Sequence, residues 1–124
     1  MTNNERLFSG GRNIALKIPP HEFDQTLRFY RDTLGLRQLD NHLPSHVFEF
    51  GANLLWLDRS DTMTHTEIWL ELRTPDTNSA AARLEINGVA RCDAIEHLPE
   101  GFDGFWITSP GNIVHLVHGP QQDI

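Results

Sequence analysis

The chain has 124 residues, of which 39% are hydrophobic and 22% charged, the composition of an ordinary globular domain. Ten Lys and Arg residues against 17 Asp and Glu residues give a formal net charge of -7, which disfavours contact with nucleic-acid phosphates. Continuous apolar runs are only a few residues long, whereas roughly 20 residues are needed to span a bilayer. These features predict one domain over residues 1–124 that binds neither nucleic acid nor a membrane.

The cysteine content and the N-terminal residues indicate the cellular compartment in which the protein works. Cys92 is the single cysteine, so no internal disulfide can form, which fits a reducing cytoplasm. Residues 1–6 lack the charged and apolar regions of a secretory signal peptide. We therefore expect a cytoplasmic protein.

The first half of the chain predicts the element order β-α-β-β-β. In the segment 13–18, apolar residues alternate with others, as in a half-buried strand. The segment 23–34 carries apolar residues at helical spacing, and Gly35 follows as a helix end. Three further strands are predicted at 36–39, 46–50 and 53–58.

The second half predicts the same order. A strand at 66–72 precedes a helix at 79–86, which Asn87-Gly88 ends. Strands follow at 89–94, 104–108 and 112–117. Pro110 and Gly111 occupy the second and third positions of the turn between the last two strands, which favours a type II turn.

The repeated order indicates duplication of one supersecondary unit. Leu34-Gly35-Leu36 matches Asn87-Gly88-Val89, although identities between the halves are few. We predict an α+β fold of two tandem βαβββ modules, 12–59 and 65–118. Their sheets would form a concave cavity with the helices outside.

Several stretches resemble one protein superfamily. The most specific are Phe29-Tyr30, followed by Leu34-Gly35-Leu36, and the Pro110-Gly111-Asn112 turn. Together with residues 13–18, 48–51 and 54–57, they are similar to the vicinal oxygen chelate superfamily, which includes glyoxalase I, bleomycin-resistance proteins and extradiol dioxygenases. The resemblance covers residues 13–117 and implies paired βαβββ modules and a homodimer.

The resemblance also implies four positions that face the cavity, Asn13, Trp56, Glu67 and His115. Metal-using members usually carry His, Glu or Gln at three or four of them, so Trp56 departs from the pattern. Glu67 and His115 are ordinary donors for Zn, Ni, Fe or Mn, and Asn13 offers an amide oxygen. The expected metal ligands are Asn13, Glu67 and His115, with Glu67 and His115 catalytic. Alternatively, Glu67 and His115 form a hydrogen-bonded pair without metal.

Aromatic and charged side chains complete the predicted ligand pocket. Lys17, Trp56, Trp69 and Trp106 are expected to line it, with Glu71 beside Glu67 and Asp58 beside Trp56 on the same sheet faces. Trp69 and Trp106 could instead fill the cavity or a dimer contact. The other histidines are expected mainly at the surface; these are His21, His42, His65, His97 and His118, while His46 could lie at the cavity rim.

Two functions follow from these residues. With a divalent metal, the protein would be a lyase, isomerase or dioxygenase acting on a small carbonyl compound or catechol. Without a metal, it would sequester a small molecule as bleomycin-resistance proteins do, and the acidic charge would favour a cationic planar ligand. The partner is a small molecule in both cases.

Overall fold

The computed structural model describes residues 6–120 and has an α+β fold, as predicted. Its described part contains seven strands in a mixed sheet and two α-helices. The strands are β1 (Ser9–Ile18), β2 (His46–Phe50), β3 (Asn53–Arg59), β4 (Glu67–Arg73), β5 (Ala90–Arg91), β6 (Gly104–Thr108) and β7 (Val114–His118), and the helices are α1 (Pro20–Arg28) and α2 (Thr77–Ile86). Most of the segment used to judge a signal peptide, residues 1–5, lies outside the described part.

The chain divides into two compact units. The N-terminal unit comprises residues 12–69, and the described part of the C-terminal unit comprises residues 6–11 and 70–120. In the N-terminal unit the strand order is β2-β3-β1, with β1 and β3 parallel. In the C-terminal unit it is β4-β7-β6-β5, with β4 and β7 parallel. The tandem modules 12–59 and 65–118 and their cavity stay predictions.

The core of the N-terminal unit lies on one face of its strands. Leu16 and Ile18 of β1 cluster with Leu55 and Leu57 of β3, which the parallel register places alongside them. Phe23 of α1 and Phe48 of β2 complete the buried cluster. Because side chains alternate along a strand, the residues between these apolar positions face away from the core.

Helix α1 begins earlier than the periodicity predicted and continues as a π-helical turn before Gly35. Pro20 occupies the first turn, where a missing N–H costs nothing. After Arg28 the chain widens into a π-helical turn, Phe29–Thr33, and Gly35 then adopts φ 66°. The predicted end at Gly35 is confirmed, since a left-handed residue cannot continue the helix.

Two predicted strands are wrong or shorter than expected. Residues 36–39 form no strand, and Gln38 makes one isolated bridge to Phe48. The segment 89–94 contributes only β5, after which Asp93–Ile95 form a 3₁₀ turn. In both cases, few apolar residues alternate, so little burial stabilises a longer strand.

Helix α2 is capped by Asp76 and begins two residues before the predicted start at 79. The Asp76 carboxylate accepts the backbone N–H groups of Asn78 and Ser79, so the helix begins at Thr77. These hydrogen bonds hold the pKa of Asp76 below its ordinary value, and the one from Ser79 has the largest effect.

The predicted type II turn is also wrong. The left-handed residue is Asn112 (φ 67°), and Gly111 does not have a positive φ. Asn112 donates its N–H to Ser109 O at 2.8 Å, so the turn closes at the left-handed residue itself. The last strand consequently begins at Val114 and extends through His118.

The core of the C-terminal unit packs beneath α2. Ala80 of α2, Phe105 and Ile107 of β6 and Val117 of β7 form its buried cluster, with Leu72 of β4 packed against it. Within residues 6–120, neither helix combines the length and apolar character required to cross a bilayer.

Replacing Phe48 by Ala should destabilise the protein by about 3–5 kcal/mol, because the ring is fully buried in the N-terminal core. Phe50→Ala is the matched control, since Phe50 lies in the same strand but is 44% exposed, and we expect a change of about 0.5 kcal/mol. Urea unfolding followed by circular dichroism measures both. Equal losses would contradict the placement of the core.

Candidate functional site

The strand face opposite α1 in the N-terminal unit carries polar and aromatic side chains. Asn13, Ala15 and Lys17 alternate with the apolar residues of β1, and the register pairs Ala15 with Trp56 and Lys17 with Asp58. Trp69 of β4 lies beneath the Lys17 ammonium, so it shares this face. We call the set Asn13, Lys17, Trp56, Asp58, Glu67 and Trp69 the polar face.

Trp56 is held at the middle of the polar face while remaining partly exposed. Its indole Nε1–H donates to Asn13 Oδ1 at 2.7 Å. The imidazole of His42 contacts the indole edge to face, with ring centroids 5.0 Å apart and planes at 61°. These contacts orient a large apolar ring that water still reaches.

Lys17 and its neighbours form the second part of the polar face. Lys17 is 6% exposed, and its Nζ lies 2.9 Å from Asp58 Oδ2 and 4.5 Å from the centre of the Trp69 ring. A carboxylate and an aromatic face both stabilise a buried ammonium. The positive charge of Lys17 is therefore balanced inside the protein.

Glu67 lies at the outer end of this arrangement. Its Oε1 accepts the Trp69 indole N–H at 3.0 Å, and its Oε2 lies 3.5 Å from His65 Nε2. The Glu67 side chain is 35% exposed. Its carboxylate is consequently oriented by the protein and still accessible to a ligand.

The polar face fits the predicted metal site poorly. The Asn13 oxygen, which would be a ligand, already accepts the Trp56 N–H, and Trp56 itself has no metal-binding atom. In the part of the chain that the structure describes, no group of three or more His, Cys, Asp or Glu side chains could hold a metal ion.

His115 lies in the C-terminal unit, whereas Asn13 and Glu67 lie in the N-terminal unit. Within its own unit, His115 pairs with Leu70 of β4 and Ile107 of β6. The ligand set Asn13, Glu67 and His115 stays a prediction, and we derive no metal chemistry from it.

The remaining predicted pocket residue, Trp106, lies in β6 of the C-terminal unit. It is 5% exposed, and its indole N–H donates to Glu96 O at 3.0 Å. Its role in lining a ligand pocket stays a prediction.

The sequence reasoning missed a buried pair in the C-terminal unit. His118, expected at the surface, is 1% exposed, and its Nε2 lies 2.7 Å from Glu71 Oε2. Its Nδ1–H donates to Gly119 O at 2.9 Å. Gly11 makes room for this pair, because a Cβ there would overlap the Glu71 carboxyl group. The last strand was predicted to end at Val117. Extending it by one residue would have placed His118 within the sheet.

The surroundings of His118 favour its protonated form. Both ring nitrogens face oxygen acceptors, so each can carry a proton when Glu71 is ionised. The hydrogen bond to Glu71 raises the pKa of His118 above its ordinary value, although burial and the charge of Arg73 oppose this. His118 and Glu71 therefore form a buried ion pair.

This pair predicts how stability depends on pH. Because the folded-state pKa of His118 is raised, its contribution is fully present below the ordinary value of 6.5 and is lost as pH rises through the folded-state pKa. We expect the free energy of unfolding to fall above pH 6.5, and to fall less steeply in His118→Gln. Urea unfolding between pH 6 and 9 measures it, with exposed His97→Gln as the control. An identical slope in His118→Gln would refute the ion pair.

Comparisons with known proteins bear on the fold. The sequence matches no family profile and no curated protein. Solved structures that resemble the chain include the Mn(II)-bound glyoxalase from Novosphingobium aromaticivorans, with a TM-score of 0.59 and 20% identity over 91% of this chain. The chain spans 41% of that protein's length.

Two further structures match over nearly their full lengths. Methylmalonyl-CoA epimerase from Mycobacterium tuberculosis has a TM-score of 0.58 and 15% identity, covering 98% of this chain and 94% of its own. A glyoxalase/bleomycin resistance protein/dioxygenase superfamily member from Vibrio splendidus 12B01 has a TM-score of 0.56 and 8% identity, covering 90% and 100%. The resemblance inferred from the sequence is thus confirmed at the level of the fold, and the chain has the fold of the glyoxalase/bleomycin resistance/dioxygenase superfamily.

Proposed function

We propose that the polar face of the N-terminal unit binds a small planar molecule without the help of a metal ion. The observation that carries this proposal is Trp56, an indole ring held by Asn13 and His42 yet partly exposed among polar groups. Large aromatic side chains in such a position lose favourable burial unless a partner covers them. A flat ligand ring packed on Trp56 would supply that burial.

The charges of the polar face favour a cationic ligand. Lys17 is buried and balanced by Asp58, whereas the side chains of Asp58 and Glu67 are 31% and 35% exposed. A ligand therefore meets carboxylate oxygens before it meets the ammonium. The net charge of -7 adds a long-range attraction for cations.

This arrangement performs binding rather than bond-breaking. The indole of Trp56 would pack against the flat part of the ligand, and Glu67, oriented by Trp69, would accept hydrogen bonds from its cationic part. Such capture lowers the free concentration of the molecule, as expected of a sequestering protein. The homodimer and the cytoplasmic location stay predictions.

A metal-dependent lyase, isomerase or dioxygenase is the second candidate. It is favoured by the fold shared with the Mn(II)-bound glyoxalase and by the accessible Glu67 carboxylate. It would require donors other than the Asn13 oxygen, which the Trp56 N–H occupies.

Ethidium, a planar cation, is a suitable first probe. We expect it to quench tryptophan fluorescence with micromolar affinity, and Trp56→Ala to weaken binding at least tenfold, because the packing surface is lost. Phe50→Ala is the matched control, an exposed aromatic side chain whose strand alternation places it with Phe48, away from Trp56. Equal affinities in wild type and Trp56→Ala would contradict the proposed site.

Metal content separates the two candidate functions. Protein purified without chelator should contain well below one equivalent of divalent metal, and Glu67→Ala and His115→Ala should leave that content unchanged. Elemental analysis by mass spectrometry measures it. Near-stoichiometric Zn, Ni, Fe or Mn that both substitutions remove would overturn the metal-free proposal in favour of the enzyme.

A further inference from the structure

We propose that Asn87 is a site of spontaneous covalent modification, where the backbone nitrogen of Gly88 attacks the side-chain amide and asparagine becomes aspartate or isoaspartate. Asn87 is the one asparagine of the sequence that a glycine follows. Glycine has no side chain to hinder its own nitrogen, so this dipeptide favours the reaction. Both residues are exposed at the end of α2, and the preceding Ile86 is 83% exposed, so water reaches the turn.

The reaction needs only this dipeptide and water. The Gly88 nitrogen loses its proton and forms a bond to the side-chain carbonyl carbon of Asn87, and the bond from that carbon to Nδ2 breaks. Ammonia leaves, and a five-membered succinimide ring remains. Water then opens the ring: attack at the side-chain carbonyl gives aspartate, and attack at the main-chain carbonyl gives isoaspartate. No oxidant or reductant takes part.

The end of α2 holds the attacking nitrogen in place. The Gly88 N–H donates to Glu85 O at 3.0 Å, and the Val89 N–H donates to Leu84 O at 2.9 Å. Gly88 itself is left-handed, with φ 75°. These two hydrogen bonds around a left-handed glycine form a Schellman motif, so the dipeptide belongs to an ordered helix end.

This conformation keeps the reacting atoms apart. Asn87 has ψ 8°, so the Gly88 nitrogen nearly eclipses the backbone nitrogen of Asn87 about the Cα–C bond. In the succinimide ring it must instead lie on the side of Cβ. The side-chain amide is also held back, because Asn87 Nδ2 donates to Arg83 O at 2.8 Å. The helix end must therefore open before the ring can close.

Leu84 and Val89 keep the helix end closed. Both side chains pack against the buried cluster of the C-terminal unit, one from α2 and the other from the segment after the turn. Opening the turn withdraws apolar surface from this cluster, but it requires less free energy than unfolding the whole chain. The frequency of this local opening therefore sets the rate of the modification.

The products change the junction between α2 and β5. Aspartate adds a negative charge at the C-terminal end of the helix, where the backbone carbonyls are already negative and Glu85 lies two residues away. Isoaspartate lengthens the main chain by one methylene group, which displaces the hydrogen bonds of Gly88 and Val89. Both products consequently weaken the helix end that protected the asparagine.

Peptide mapping by mass spectrometry tests the proposal on the intact chain incubated at pH 7.4 and 37 °C. Trypsin releases the peptide 84–91, in which Asn87 is the single asparagine. We expect this peptide to gain the mass difference between a hydroxyl and an amino group and to separate into aspartate and isoaspartate forms. A synthetic peptide 84–91 has no helix end to open, so it should convert about tenfold faster than the folded chain.

A second asparagine of α2 is the internal control. The tryptic peptide 74–83 contains Asn78, which is exposed but is followed by Ser79. The serine side chain hinders the attacking nitrogen, and that nitrogen donates to Asp76 Oδ1 at 3.2 Å. Asn78 should therefore convert at least about tenfold more slowly than Asn87.

Val89→Ala tests whether the helix end controls the rate. It removes part of a side chain that packs against the core and leaves the reacting dipeptide intact, so conversion should accelerate about fivefold. Hydrogen exchange and attack both require the Gly88 N–H to leave Glu85 O, so exchange of that amide, measured by NMR, should accelerate equally. Val47→Ala is the matched control, a fully buried valine of the N-terminal unit, and should change both rates by less than about twofold.

Three results overturn the proposal. The first is an unchanged Asn87 in the folded chain after about a hundred half-lives of the synthetic peptide. The second is conversion of Asn78 as fast as that of Asn87. The third is equal conversion in the folded chain and the synthetic peptide, or equal acceleration by Val89→Ala and Val47→Ala, since the helix end would then not control the reaction. The comparison with the synthetic peptide uses no variant, so it decides the matter even if Val89→Ala fails to fold.

Discussion

The strict alternation of side chains along β1 and β3 is the constraint on which the site depends. Apolar residues such as Leu16 and Leu55 are buried against α1, and this burial fixes the strand orientation. The intervening residues are then obliged to face the other way, whatever their chemistry. Because those residues include Asn13, Lys17 and Trp56, the energy that folds the unit also places the polar face on the side of the strands opposite the core.

The hydrogen bond between Trp56 and Asn13 gives that surface its chemical character. Side-chain amide oxygens can ligate metals, but here the oxygen orients an indole. The same pattern recurs at Glu67, whose carboxylate accepts the Trp69 N–H. The Trp56 N–H thus takes up the amide oxygen that would otherwise be a donor to a metal, whereas Glu67 keeps an accessible carboxylate oxygen. This is the physical basis for proposing packing and ion pairing rather than Lewis-acid chemistry.

Local patterns in the sequence predicted most of the helices and strands. The pairing of the strands decided which face of the sheet each side chain occupies. The alternation in β1, the spacing in α1 and the left-handed Gly35 are properties of neighbouring residues, so they were readable. The face of His115 depends on how β7 pairs with β4 and β6. A shift of one residue moves a side chain to the other face, and no local pattern reports it. His118 was missed because β7 extends one residue past the predicted strand end.

The His118–Glu71 and Lys17–Asp58 charge pairs differ in their access to water, and this difference decides where a ligand can bind. His118 and Glu71 have side chains that are 1% and 4% exposed, so their charges are satisfied by each other and serve stability. Asp58 is 31% exposed while it balances Lys17, and its position beside Trp56 leaves a carboxylate available at the surface. Of these two pairs, a ligand can replace water only at Asp58 of the Lys17–Asp58 pair. The polar face therefore combines the three properties that binding needs: an aromatic surface held in place, an accessible anion, and a buried positive charge that does not compete with the ligand.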